Sequence, residues 1–209
     1  MLCYNLLMKE LKIKNVIIGF TEREDLNQRL SVNRKIKVPL FIPNQKHTAK
    51  VISLEEDITQ EADGIYLDKT GIAVGVLTAD CMPIILFNDR ELSVIHAGWK
   101  GLFGGIIENG VKMFKGKPTN CFIGPSIRIC CYEVSPDFIT QFNIDKKFYI
   151  EREGRYSLSL QDIAKERLKN LGIDDIFDLS ECNACSGRYF SFRKGDFDDR
   201  ILTYAYIME

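Results

Sequence analysis

Two histidines and a cysteine carry most of the chemistry open to this chain. His47 and His96 are the only imidazoles in 209 residues. Cys81 falls between them, in Thr78-Ala79-Asp80-Cys81-Met82-Pro83. His96 opens His96-Ala97-Gly98-Trp99-Lys100-Gly101. Two imidazole nitrogens and a thiolate form a borderline-soft set that zinc accepts in an open tetrahedral site, with the fourth position left to water or substrate. Zinc lowers the pKa of a water held there toward ~7, which supplies a nucleophile at neutral pH. The same side chains also allow chemistry without a metal. A Cys81 thiolate beside a His96 imidazolium is a nucleophile with its base, and Asp80 could orient that base. The bland alternative is a buried thiol and a satisfied histidine. Spacing leaves these readings open, because 47, 81 and 96 form no short-loop zinc signature.

Four more cysteines are grouped in sequence as Cys130-Cys131 and Cys182-Asn183-Ala184-Cys185. Together they could make a second, structural zinc site, although adjacent cysteines seldom both ligate one ion comfortably. Cys182 and Cys185 alone would also suit a redox or partner-binding protein.

The elements that must position these residues follow from periodicity. An apolar run at 84–87, a polar turn at 88–91 and a second apolar run at 92–95 predict a hairpin. Cys81 then lies just before the first strand and His96 just after the second, at one end of the pair. His47 sits in Asn44-Gln45-Lys46-His47-Thr48, a polar loop between strand-like segments at 38–42 and 50–54. Further strands are predicted at 16–20, 62–67, 119–123, 176–179 and 201–207, with a buried one at 71–77. Helices are predicted around 26–36 and over 102–114. A third follows a Ser135 cap and Pro136, and a fourth follows a Ser159 cap and ends at Gly172. Gly98, Gly101, Gly104 and Gly105 crowd the start of the 102–114 helix at a cost in helix stability. Either a ligand approaches the backbone there or the helix packs tightly on a sheet. Strands and helices mix without βαβ alternation, repeat or linker, which predicts a single α+β domain over 1–209.

Composition excludes several classes. The formal charge is -1, with no clustered basic excess, so a nucleic-acid partner is not expected. The basic stretch at 34–37 reads as a solvated face. No run of about 18 apolar residues predicts a membrane span. The first ten residues lack the features of a signal peptide, so a cytoplasmic protein is expected. Seven irregularly spaced cysteines argue for reduced thiols rather than a disulfide framework.

The residues around Cys81 and His96 also carry a resemblance. Ala79-Asp80-Cys81-Met82-Pro83-Ile84 and His96-Ala97-Gly98-Trp99-Lys100-Gly101 resemble the two signature motifs of the laccase-domain family of bacterial proteins. Its members are called multicopper polyphenol oxidoreductases in older usage and purine nucleoside phosphorylases more recently. Gly19-Phe20-Thr21-Glu22-Arg23, Gln45-Lys46-His47, Ala62-Asp63, Gly124-Pro125-Ser126-Ile127, Tyr132-Glu133-Val134, Cys182 and Phe190-Ser191-Phe192-Arg193 match in the same order.

The resemblance implies zinc on His47, Cys81 and His96, with copper as an alternative metal in vitro. It implies mixed β-sheets packed face to face with helices outside, in α/β/β/α layers. It also implies purine nucleoside phosphorylase activity on small-molecule nucleosides with phosphate. Deamination of adenosine and phosphorolysis of methylthioadenosine would accompany it. Cys81, His96 and Asp80 are then the catalytic candidates, and Gln45, Lys100 and Arg193 the substrate-binding ones. Trp99 either stacks on a base or packs in the core. The fold is similar to that of a bacterial toxin deamidase with a Cys–His pair, so a metal-independent hydrolase or amidase remains the alternative. Phenol oxidation with copper is reported for some relatives, but a multicopper centre needs many histidines and this chain has two. Two departures stand out. Lys100 replaces the usual arginine and loses its planar fork. The opening motif lacks its glycine pair and serine after Arg23, and the segment that follows looks shortened.

Overall fold

Apolar runs without polar alternation need cover on both faces, because a strand sends successive side chains to opposite sides. Three such runs organise the computed structural model, which describes residues 9–25 and 36–209. Its strands are β1 (Lys9–Ile13), β2 (Val16–Phe20), β3 (Leu40–Phe41), β4 (Val51–Ser53), β5 (Gly64–Leu67), β6 (Ala73–Thr78), β7 (Met82–Phe87), β8 (Leu92–Ala97), β9 (Asn120–Ile123), β10 (Glu133–Val134), β11 (Tyr149–Arg152), β12 (Arg155–Leu158), β13 (Asp175–Asp178) and β14 (Ile201–Ile207). The α-helices are α1 (Trp99–Phe103), α2 (Ile106–Lys112), α3 (Pro136–Gln141), α4 (Leu160–Asn170) and α5 (Asn183–Ser186).

Two mixed sheets face each other. One runs β13-β9-β7-β8-β5-β4 and the other β1-β2-β14-β6-β3, while β10-β12-β11 form a small third sheet. Strand β7 shows the layering. Ile85 and Phe87 pack with Val16, Ile18, Val74 and Val76 of the facing sheet. Ile84 and Leu86 pack with Leu102, Ile106, Ile163 and Leu168 of the helices. This is the single-domain α+β fold with helices outside that was expected. Beyond the five-stranded sheet lies a smaller cluster of Ile36, Leu40, Leu202 and Tyr204. The helix expected over 26–36 falls, apart from Ile36, outside the described residues.

Most strand expectations hold to within a residue or two, and both caps are present. Ser135 Oγ accepts the Phe138 N–H and Ser159 Oγ accepts the Asp162 N–H. The single helix expected over 102–114 is instead two, α1 and α2. Gly105 separates them at φ +88, a backbone conformation that only glycine adopts without strain. Strands β1, β11 and β12 were not anticipated. Among the described residues, no helix is long and apolar enough to cross a membrane.

Candidate metal centre

The site lies where three strand ends of the six-stranded sheet converge. β7 and β8 pair antiparallel with Met82 opposite Ala97 and Pro83 opposite His96. That register brings Cys81, one residue before β7, to the end of β8. β5 flanks β8 on the other side, and the residue before it, Asp63, accepts the His96 N–H on its carbonyl at 2.7 Å. His96 therefore lies within β8, not just past it as the sequence suggested. The loop ahead of β4 brings His47.

The three donors meet. One nitrogen each of His47 and His96 and the Cys81 sulfur lie within 4.8 Å of one another. The imidazole rings stand 4.7 Å apart, edge to face. Gly98 makes room, since a Cβ there would sit 2.8 Å from Cys81 Sγ and 3.2 Å from the His47 ring. His47 and Asp80 both have positive φ, 60° and 92°. Such conformations cost of order 1–3 kcal/mol each and persist only where surrounding contacts enforce them.

The enforcing contact for His47 is Asp63, which is fully buried. Its carboxylate accepts the successive backbone N–H groups of Lys46, His47 and Thr48 at 3.1, 3.0 and 2.6 Å, and the Thr48 hydroxyl at 2.9 Å. It also meets His96 Nδ1 at 2.7 Å. One carboxylate thus fixes the loop of one imidazole and the ring of the other. Burial opposes its charge, but His96 and the loop donors outweigh burial and lower the Asp63 pKa to about 2. Burial likewise opposes a charged His96, while Asp63 and Cys81 raise it to about 9. Burial opposes the Cys81 thiolate too, but hydrogen bonds from His47 and His96 bring it down to about 7.

Asp80 was expected to orient the histidine. The structure gives that position to Asp63. Asp80 Oδ1 accepts from Asn183 Nδ2 at 2.9 Å and Ser191 Oγ at 2.7 Å, and Oδ2 accepts the Arg193 N–H at 2.8 Å. Its carboxylate therefore ties the 183–193 segment to the turn that carries Cys81.

The donors open onto a cleft of about 700 Å³ whose walls include Gln45, Asp80, Trp99, Tyr132, Phe192, Arg193 and Arg200. Arg193 stands over the Tyr132 ring at 5.5 Å and donates to the Glu133 carbonyl at 3.3 Å. Gln45 lines the cleft, but its amide is already paired at both ends with the Leu77 backbone, each bond 2.8 Å long. Its visible task is to pin the His47 loop to β6. Lys100 is not part of the cleft wall. It is exposed, with its Nζ 5.5 Å from the Trp99 ring centre. Trp99 lines the cleft while packing edge-on against Phe138 and Phe142. As for the clustered glycines, Gly98 faces the donors, whereas a Cβ on Gly101 or Gly104 would meet Thr48 or Ala49. Tight packing thus explains two of them and the site explains one.

Sequence reasoning gave no role to Asp63, Tyr132 or Arg200. Only Asp63 left a signal, as an acidic residue at the mouth of a buried strand, where an unpaired carboxylate would be costly.

This fold and donor set define a class. The family described as multi-copper polyphenol oxidoreductase laccase matches residues 21–205, and the chain belongs to it. Its curated relatives are named for a different activity. A purine nucleoside phosphorylase of Aquifex aeolicus is 33% identical over 199 residues, covering 89% of this chain and 95% of its own. One of Haemophilus influenzae is 32% identical over 180 residues, covering 80% and 73%. Among solved structures, the Neisseria meningitidis protein NMB0706 superposes with a TM-score of 0.85 at 22% identity, over 97% of this chain and 99% of that one. A Bacillus licheniformis hypothetical protein, YfiH, gives 0.84 at 23% identity over 96% of both chains. These two similarities establish the fold.

Proposed function

We propose that this chain is a zinc-dependent purine nucleoside phosphorylase, with adenosine deaminase and methylthioadenosine phosphorylase as side activities. The observation that carries the reading is the convergence of His47, Cys81 and His96 on one wall of an open cleft. The donor set fits zinc. With His96 Nδ1 engaged by Asp63, its Nε2 is the nitrogen left to bind, in the carboxylate–histidine arrangement that orients metal ligands. Zinc bound there would supply a Lewis acid and water activation.

The chain's own residues account for the rest of the chemistry. Phosphorolysis breaks the C–N bond between sugar and base, joins a phosphate oxygen to the anomeric carbon and leaves the base to take a proton. Arg193 and Arg200 bring two positive charges to the cleft for phosphate, and the Tyr132 ring and Glu133 carbonyl fix the first. Phe192, 55% exposed at the cleft, offers a face for the purine. Asp80 positions this pair by holding the Arg193 backbone. Reduced thiols suit a cytoplasmic setting.

The test is metal analysis of the purified protein, followed by incubation with adenosine with and without phosphate. The expected result is bound zinc, phosphate-dependent release of adenine, and loss of both on chelation. One observation favours a second reading. Asp63, His96 and Cys81 form a carboxylate–imidazole–thiol relay with a lowered thiol pKa, as a metal-free hydrolase or amidase would need. Activity that survives a chelator but not Cys81→Ser would favour it. Copper in place of zinc, with oxidation of phenols, would favour the activity in the family's description.

A further inference from the structure

We propose that Cys130, Cys131, Cys182 and Cys185 hold a zinc ion of their own, a closed tetrathiolate that clamps one wall of the cleft. Their four sulfurs all lie within 4.8 Å of one another. Cys130 and Cys185 are 3.8 Å apart, sulfur to sulfur. With Zn–S bonds of ~2.3 Å, the edge of a tetrahedral zinc tetrathiolate is ~3.8 Å. The cluster therefore stands close to the size of the coordination shell, and no pair in it is disulfide-bonded.

The local backbone explains how two adjacent cysteines can both take part. The N–H groups of Cys131 and Tyr132 both reach the Arg128 carbonyl, at 2.8 and 2.9 Å, and curl the chain into a tight turn. Opposite it, Cys182 and Cys185 have the two-residue spacing of zinc knuckles, Cys182 at the N-cap of α5 and Cys185 within it, and Gly187 ends the helix at φ 73. A bridge between Ser126 and Cys182 holds the two segments side by side. Cys130 and Cys185 are exposed, so an ion can reach the cluster.

The consequence lies one residue away in each segment. Tyr132, after Cys131, lines the cleft beneath Arg193. Asn183, after Cys182, donates to Asp80 and to the Phe190 carbonyl. An ion joining the two turns would fix both residues without touching substrate.

The experiment counts zinc in full-length protein by mass spectrometry, in a His47→Ala background that disables the first site. X-ray absorption of the same protein reports the ligands. The expected result is one zinc per chain with four sulfur neighbours at ~2.3 Å, lost in His47→Ala combined with Cys185→Ser. Cys185 is exposed, so this change should leave the fold intact, and the absorption measurement needs no cysteine variant. The proposal is overturned if the His47→Ala protein holds no zinc, if its zinc has nitrogen neighbours, if Cys185→Ser leaves the zinc in place, or if peptide mapping finds a Cys130–Cys185 disulfide. Failure of the first site looks different. Unaltered protein would then hold a single zinc that His47→Ala leaves in place and Cys185→Ser removes.

Discussion

The two groups of soft donors in this molecule are built on opposite plans. His47, Cys81 and His96 come from a loop and two strand ends and border a cleft of about 700 Å³. Cys130, Cys131, Cys182 and Cys185 come from two turns, face one another and border none of that cleft. Metal sites that do chemistry keep a coordination position free, whereas those that hold a fold fill every position with protein. On the two proposals made above, donor count and access, more than donor type, would separate reaction from reinforcement here. It also explains why a buried carboxylate, Asp63, stands behind the open group. Three ligands on separate elements need an anchor that four ligands on two tight turns do not.

Removing an open-site donor should break the contrast most sharply. Cys81→Ala or His47→Ala should lower phosphorolysis of adenosine by at least ~10²-fold, since even partners of metal ligands are worth 10–100-fold. Steady-state adenine release measures it, and near-normal activity would show that the open group is not the reactive one. Asp63→Asn should come next, with a ~10–100-fold loss of metal affinity and a cost of roughly 3–5 kcal/mol, the scale for breaking a buried pair. The Asp63 pKa drops on folding from 3.8 to about 2. Its contribution is therefore complete above ~4 and is lost as pH falls toward 2. Acid titration of stability should show that limb in the native chain and not in the variant.

The metal-free open site offers a direct test of its electrostatics. Cys81 should be alkylated with a midpoint near pH 7 rather than 9.0. At pH 7 that makes its thiolate fraction roughly 50 times that of an ordinary thiol. Iodoacetamide labelling of chelated protein across pH, read at the Cys81 peptide, decides it. A midpoint near 9 would mean that the imidazoles do not act on the sulfur. Gly98→Ala should cost about 1–3 kcal/mol through overpacking against Cys81 Sγ, measured by denaturant unfolding. Lys100→Ala should be the mildest, within about twofold in activity, as is usual for an exposed residue away from such features. A large loss there would return Lys100 to the cleft.

Much of this was legible in the chain. The hairpin could be read because two apolar runs and a polar turn leave one solution, and that solution set Cys81 beside His96. His47 was harder to place, because its approach depends on β4 pairing with β5 across a long gap, which local periodicity does not encode. Asp63 passed without a role for the same reason, since its partners come from 46–48 and 96. Asp80 was misread as the histidine's partner because neighbours in sequence seemed neighbours in space; the left-handed turn at 80 directs its hydrogen bonds to 183, 191 and 193 instead. Strands β11 and β12 escaped because they are short and mostly part-exposed, with Leu158 their one fully buried side chain, too little to impose an alternation.

Strand β14 sits third of five in its sheet, hydrogen-bonded to β2 on one side and β6 on the other. As a ribosome makes this chain, β7 and β8, which position Cys81 and His96, emerge more than a hundred residues before it. Until it follows, the nascent sheet has a gap at its centre, and β2 and β6 offer bare edges to any passing extended peptide. The growing protein would then depend on chaperone cover until β14 itself leaves the exit tunnel.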